Sequence, residues 1–213
     1  MSAPRPFPVP PLAPVGAGAD VRLLPLPPLD DAELVRLARA RDGRAASEIW
    51  RRYSVMVRGV LRRSLGPTHD VEDLVQDVFM RFFDSIDELR EAGAMKSFLF
   101  GITLRVAGSW LRRKRVRRWV LFTDTPPDVE AEADDPEARA ALASLYGVLD
   151  KIDDEGRLAF TLRHFEGQEL TEVATALGCS LATIKRKLAR VEERVQALCA
   201  RDPQLAHYLG GPS

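Results

Sequence analysis

Cysteine is nearly missing from this chain: its 213 residues include only Cys179 and Cys199, which cannot build a disulfide framework and match no zinc spacing. Histidine is almost as scarce, and His69, His164 and His207 are scattered rather than grouped. No phosphate-cradling Gly loop, Ser nucleophile elbow or Cys/His pair occurs. Asp70, Asp73 and Asp77 lie at helical spacing, but no His or second acidic helix accompanies them as a metal-ligand set would require. These absences argue against an enzyme: no catalytic residue, no metal and no cofactor is expected. Long apolar runs are lacking too. Pro25, Pro27 and Pro28 break the Leu23, Leu24, Leu26 cluster, and no other stretch reaches membrane length. A cytoplasmic protein without a membrane span is the expectation.

What is present is the composition of a folded body, 46% hydrophobic and 29% charged, which excludes both wholesale disorder and a membrane bundle. A formal net charge of zero would speak against a nucleic-acid partner if charge were spread evenly. It is segregated instead. Arg105, Arg112, Arg113, Lys114, Arg115, Arg117 and Arg118 occur in a stretch with no acid, whereas 124–135 carries acids and no base.

Residues 1–28 are crowded with proline and read as a disordered tail. Four helical segments follow and form an N-terminal domain over 29–120. The first begins at Asp30, Asp31 and Glu33 and carries Leu34, Leu37 and Ala38, ending near Gly43. The second carries Ile49, Tyr53, Val57, Val60 and Leu61 and stops at Leu65-Gly66-Pro67. Thr68 is placed to cap the third, whose Val71, Leu74, Val75, Val78 and Phe82 form one apolar stripe. The fourth runs from about Met95 to Arg118, with Met95, Phe98, Leu99, Ile102, Val106 and Trp110 on one face. The acidic, proline-bounded stretch 121–136 reads as a linker. Beyond it, helices are predicted around 137–151, 155–165, 169–177 and 180–199, so 137–200 forms a second domain and 201–213 a tail. The fold class is all-α, with two small helical domains.

Within the second domain Val173, Ala174, Leu177, Gly178, Ile184 and Leu188 stand at the offsets of a helix-turn-helix. Ala174 permits a close helix crossing, Gly178 suits a left-handed turn, and Ser180 is a helix cap. With Ile184 facing inward, the rotation of about 100° per residue turns Ala182, Arg186 and Ala189 outward, flanked by Thr183, Lys185 and Arg190. Arg and Lys can satisfy guanine acceptors or pair with phosphate, and small residues allow close approach to base edges. Ser180, Ala182, Thr183, Lys185, Arg186 and Arg190 are the candidate duplex-binding set.

The third-helix run Asp70-Val-Glu-Asp-Leu-Val-Gln-Asp-Val-Phe-Met-Arg-Phe-Phe83 resembles the polymerase-binding helix of extracytoplasmic-function sigma factors, members of the sigma-70 family. Met95-Lys-Ser-Phe-Leu-Phe-Gly-Ile-Thr103 followed by Trp110-Leu-Arg-Arg-Lys-Arg115 resembles that family's promoter-melting helix. Arg163-His-Phe-Glu-Gly167 and Thr183-Ile-Lys-Arg-Lys-Leu188 resemble its C-terminal DNA-binding module. The resemblance spans about residues 30–200. It implies a factor that binds core RNA polymerase and promoter DNA, directs promoter recognition and starts transcription, with an anti-sigma protein left open as a further partner.

On that basis Glu72, Asp73, Gln76, Asp77 and Met80 are assigned to the polymerase; Phe79 and Phe83, turned away from the core stripe, either extend the same docking face or are buried on a second side of the helix. Lys96, Ser97, Phe98, Arg105, Trp110, Arg112, Arg113 and Arg115 are assigned to melting DNA, where phosphate attraction and base stacking act together. Arg112, Arg113 and Arg115 point in three directions, so that helix end is expected to project. The acidic linker is expected to enter a basic channel of the polymerase. Two other readings compete: a stand-alone helix-turn-helix repressor or activator, and a sigma-like adaptor that never starts transcripts.

Overall fold

The structure, a computed structural model, describes residues 29–66, 68–121 and 136–206. The expected tail over 1–28 and nearly all of the expected linker lie outside the described residues, as do the last seven positions.

Helix α1, Asp31–Arg39, starts where Asp30 accepts the Glu33 amide at 2.7 Å, an N-cap that satisfies one orphan donor. It ends earlier than the sequence implied. Arg41 takes a positive φ of 61°, and the Asp42 side chain accepts the Arg44 amide at 2.9 Å, so Gly43 opens α2 (Gly43–Leu65) instead of closing α1. Asp at that position is a stronger helix-start signal than glycine is a stop.

Helix α3, Val71–Asp84, buries its expected stripe, and Phe79 and Phe83 are buried as well, which decides for burial on a second side of the helix and against an outer docking face for these two rings. Phe79 lies against Trp50 of α2 with ring centroids 4.5 Å apart, and Phe83 meets Phe82 edge-on at 5.3 Å. This helix has neighbours on two sides, α2 and α4, so one stripe cannot describe its core. The Thr68 hydroxyl accepts the Asp70 amide at 3.3 Å, one turn ahead of α3, rather than capping the helix proper.

Helix α4, Met95–Leu121, buries Met95, Leu99, Ile102 and Val106 against this first core, as expected, with Phe98 and Trp110 half-buried. Thr103, Leu104, Ala107 and Leu111 are also buried.

The second half supplies the additional cover. It comprises α5 (Pro136–Leu149), α6 (Asp154–Phe160) running on as a π-helical turn over Thr161–Phe165, α7 (Leu170–Ala176) and α8 (Leu181–Cys199). Val60 of α2 and Leu104 of α4 share a core with Ala159, Leu162, Val173, Ala174, Ile184 and Leu188, and Leu158 completes the first core. A third cluster, around Tyr146, Leu149, Ile152, Val191 and Val195, joins α5 to α8. The halves drawn from sequence as separate bundles are thus packed together along a seam, and no strand occurs among the described residues.

Gly66, which ends α2, sits at that seam with φ 80° and ψ −174°, a region essentially reserved for glycine. A Cβ there would lie 2.8 Å from the Tyr146 ring. Gly66→Ala is expected to cost about 1–3 kcal/mol from backbone strain alone, read as a lower urea midpoint. An unchanged midpoint would refute this account of the turn.

Candidate nucleic-acid interface

Helices α7 and α8 form the anticipated helix-turn-helix. A capping box opens α7, with the Glu169 amide donating to Glu172 Oε2 at 2.8 Å. Gly178 takes φ 67° in the turn, as its place in the motif suggested. Ser180 accepts the Thr183 amide at 3.2 Å, and the two hydroxyls share a hydrogen bond at 2.9 Å. Those side chains set the start of α8. Val173, Ala174, Ile184 and Leu188 are buried, which fixes the roll of the helix.

The outer face of α8 then consists of Ala182, Lys185, Arg186, Ala189 and Arg190, all exposed, with Thr183 half-buried beside them. No acid occurs on α8 before Glu192, so this face is positive along three turns. On the flank, Lys187 is drawn aside by Glu155 at 2.5 Å. Sequence reasoning passed over Leu181, the first residue of α8, which remains 38% exposed next to Ala182. The available signal was its place after the cap: recognition helices contact bases with their N-terminal residues, and leucine offers an apolar surface to a thymine methyl.

The assigned residues of α4 divide. Lys96, Ser97 and Arg105 are exposed. Phe98 is half-buried, its ring 6.0 Å from that of Phe82, and Trp110 donates its indole N–H to Asp70 at 2.9 Å. Arg112 and Arg113 are exposed and bond locally, to the Ser109 hydroxyl at 3.0 Å and its carbonyl at 3.3 Å. The next two cations behave differently. Lys114 reaches Asp150 at 3.0 Å, and Arg115 reaches the Ile152 carbonyl at 2.7 Å and Asp154 at 2.9 Å. The basic end therefore projects only in part, because the second half of the molecule holds two of its charges. Burial pushes the Asp150 carboxyl up, but the positive charges of Arg157 and Lys114 outweigh it and hold the group below the usual aspartate range.

On α3, Asp73 and Met80 are exposed, and Gln76 is half-buried. Glu72 pairs with Arg58 at 2.7 Å, a hydrogen bond that lowers its pKa, and Asp77 pairs with Arg81 at 2.7 Å. Without Phe79 and Phe83, this face is a charged surface with one apolar side chain, Met80, at its centre. Among the described residues no group of three His, Cys, Asp or Glu could hold a metal, and no helix is long and apolar enough to cross a membrane.

A helix-turn-helix with a positive outer face, joined to a second helical bundle with a long basic helix, defines a DNA-binding transcription protein of two helical regions. Comparison with known proteins identifies which kind. Residues 49–117 match the family description "Sigma-70 region 2", and residues 142–195 match "Sigma-70, region 4". The chain is 29% identical over 178 residues to RNA polymerase sigma factor NccH of Alcaligenes xylosoxydans, covering 81% of this chain and 95% of that one. It is 25% identical over 186 residues to the ECF RNA polymerase sigma-E factor of Escherichia coli K12, covering 78% and 93%. A solved structure of CnrH in complex with the cytosolic domain of CnrY shares the fold with a TM-score of 0.56, at 24% identity over 81% of this chain and 98% of that one. The chain belongs to the sigma-70 family and is a sigma factor of the extracytoplasmic-function type. As such it binds core RNA polymerase and promoter DNA and directs transcription initiation, with no catalytic chemistry of its own.

Proposed function

We propose a division of labour within this activity. Residues 29–120 dock on core polymerase through Glu72, Asp73, Gln76, Asp77 and Met80 of α3 and help to open the promoter through Lys96, Ser97, Phe98, Arg105, Trp110, Arg112, Arg113 and Arg115 of α4. Residues 137–200 hold the upstream element as duplex, with Ala182, Lys185, Arg186 and Arg190 facing the groove and Ser180 and Thr183 fixing the start of the reading helix. The observation that carries this is the acid-free, exposed outer face of α8, held in place by a fully buried Ile184. Linking two modules raises their effective concentration for one another's sites, so modest separate affinities give firm engagement. The protein acts in the cytoplasm, where the polymerase is. An anti-sigma protein is its further partner, by analogy with CnrH, solved with CnrY, and with RpoE, solved with the anti-sigma factor NepR of Bartonella quintana.

Arg186→Ala is expected to weaken binding to the preferred upstream element by about 1–3 kcal/mol, with tolerance gained at one base position. Selection from a randomised duplex pool in the presence of core polymerase measures both. Equal loss on every sequence would make Arg186 a phosphate contact. Tight, specific duplex binding by the chain without polymerase would favour a stand-alone repressor or activator and overturn the division of labour.

A further inference from the structure

Leu181 opens the reading helix and has no place in the core. It is one of four large apolar side chains left exposed among the described residues, and the one that lies on the helix-turn-helix. It belongs to none of the three hydrophobic clusters, although Leu177 and Cys179 just before it pack against the second. Apolar surface left in water is unfavourable, and packing within the chain does not offset it here. A single exposed leucine is ordinary on most surfaces, but this one stands where a groove-entering helix meets its bases.

The helix start is fixed by Ser180. Its backbone is extended, with φ −74° and ψ 153°, its carbonyl accepts the Ile184 amide at 3.0 Å and its hydroxyl accepts the Thr183 amide, so helical geometry begins at Leu181. Ile184 is fully buried and sets the inward direction. At about 100° per residue, Leu181 stands about 40° around the helix from Lys185, and Ala182 follows on the outer face. Leu181 is therefore at the leading end of the acid-free face, beside a small residue that lets the backbone come close to base edges. Its side chain has neither donor nor acceptor. In the major groove cytosine and adenine present an amino donor and guanine two acceptors, and each would lose a hydrogen-bond partner against leucine; thymine alone presents a methyl group.

We propose that Leu181 selects thymine at one position of the upstream element by covering its C5 methyl group. The inference rests on the reading of α8 as the duplex-binding helix and adds to it a contact that needs no hydrogen bond. Lys185 and Arg186 supply charge and hydrogen bonds along the same helix. Leu181 supplies discrimination that salt leaves largely untouched, because an apolar contact releases no counterions.

The test uses the full chain with core polymerase and the duplex element that the chain selects from a randomised pool. Replacing each thymine of that duplex in turn by deoxyuridine removes one methyl group and nothing else. At one position wild-type affinity is expected to fall about fourfold, the worth of one buried methyl group. Leu181→Ala should lower affinity for the thymine duplex by a similar factor, show no further loss on the deoxyuridine duplex, and keep the wild-type dependence on salt. Its own selection should lose the thymine preference at that position. Its urea midpoint should match that of the wild type, since the side chain is exposed. A deoxyuridine effect of equal size in wild type and Leu181→Ala, or at no position at all, would overturn the assignment, as would a lowered midpoint with equal loss on every duplex. If any of these occurs while Arg186→Ala still weakens binding, the duplex-reading role of α8 stands without the leucine contact. Selection of no element by the wild type would instead remove that role, and the leucine contact with it.

Discussion

Phe82→Ala is expected to destabilise the protein by about 3–5 kcal/mol. The ring has no exposed surface and stands at the meeting point of α3 and α4, edge-on to Phe83 at 5.3 Å and 6.0 Å from Phe98. Truncation removes both the apolar area and the aromatic contacts, and three helices cannot collapse far enough to refill the volume. Because Phe98 is among the residues assigned to melting DNA, loosening its neighbour should also reduce transcription at temperatures where the protein remains folded. Urea denaturation followed by helical circular dichroism gives the stability change directly. A loss below about 1 kcal/mol would mean that the core of the first half is not centred where we place it.

The second large effect is expected at Ile184. This side chain is fully buried among Val173, Ala174, Leu162 and Leu188 and sets the roll of α8. Ile184→Ala should cost about 2–5 kcal/mol, and it should weaken duplex binding even though Ile184 faces away from the proposed groove surface. Arg186→Ala separates the two origins of such a loss, since that side chain is exposed and should lower affinity without lowering stability. If Ile184→Ala left both the urea midpoint and duplex affinity unchanged, the helix-turn-helix packing described above would be wrong.

Legibility in the sequence followed the number of faces each helix buries. The helix-turn-helix was readable because α8 presents one inner face, so Ile184 and Leu188 betray their direction through spacing alone. The same logic failed on α3 and α4, each buried on more than one side. Phe79 and Phe83 fall off the main stripe of α3, so spacing alone leaves a docking patch and a second buried side equally open; they fill the space against α2 and within the α3 cluster. Leu104 and Leu111 went unremarked because the cover for the second side of α4 comes from the other half of the chain. Nothing local marks such a contact. Arg157 is the extreme case: arginine is almost never fully buried unless paired, and beside Asp150 its partners are two carbonyls of α2 more than ninety residues away in sequence. The basic run near the end of α4 was visible as charge, but the pairing of Lys114 with Asp150 and of Arg115 with Asp154 required the tertiary arrangement.

The central claim is that this chain gives core polymerase its choice of start site through two surfaces on one polypeptide. The most direct measurement is transcription from a randomised promoter library by purified core polymerase with the full-length chain, with the transcripts sequenced. We predict initiation that depends on the added chain and converges on two short conserved elements at fixed separation, the upstream one altered by Arg186→Ala. Initiation no different from that of core polymerase alone, with the chain occupying duplex sites by itself, would contradict the account.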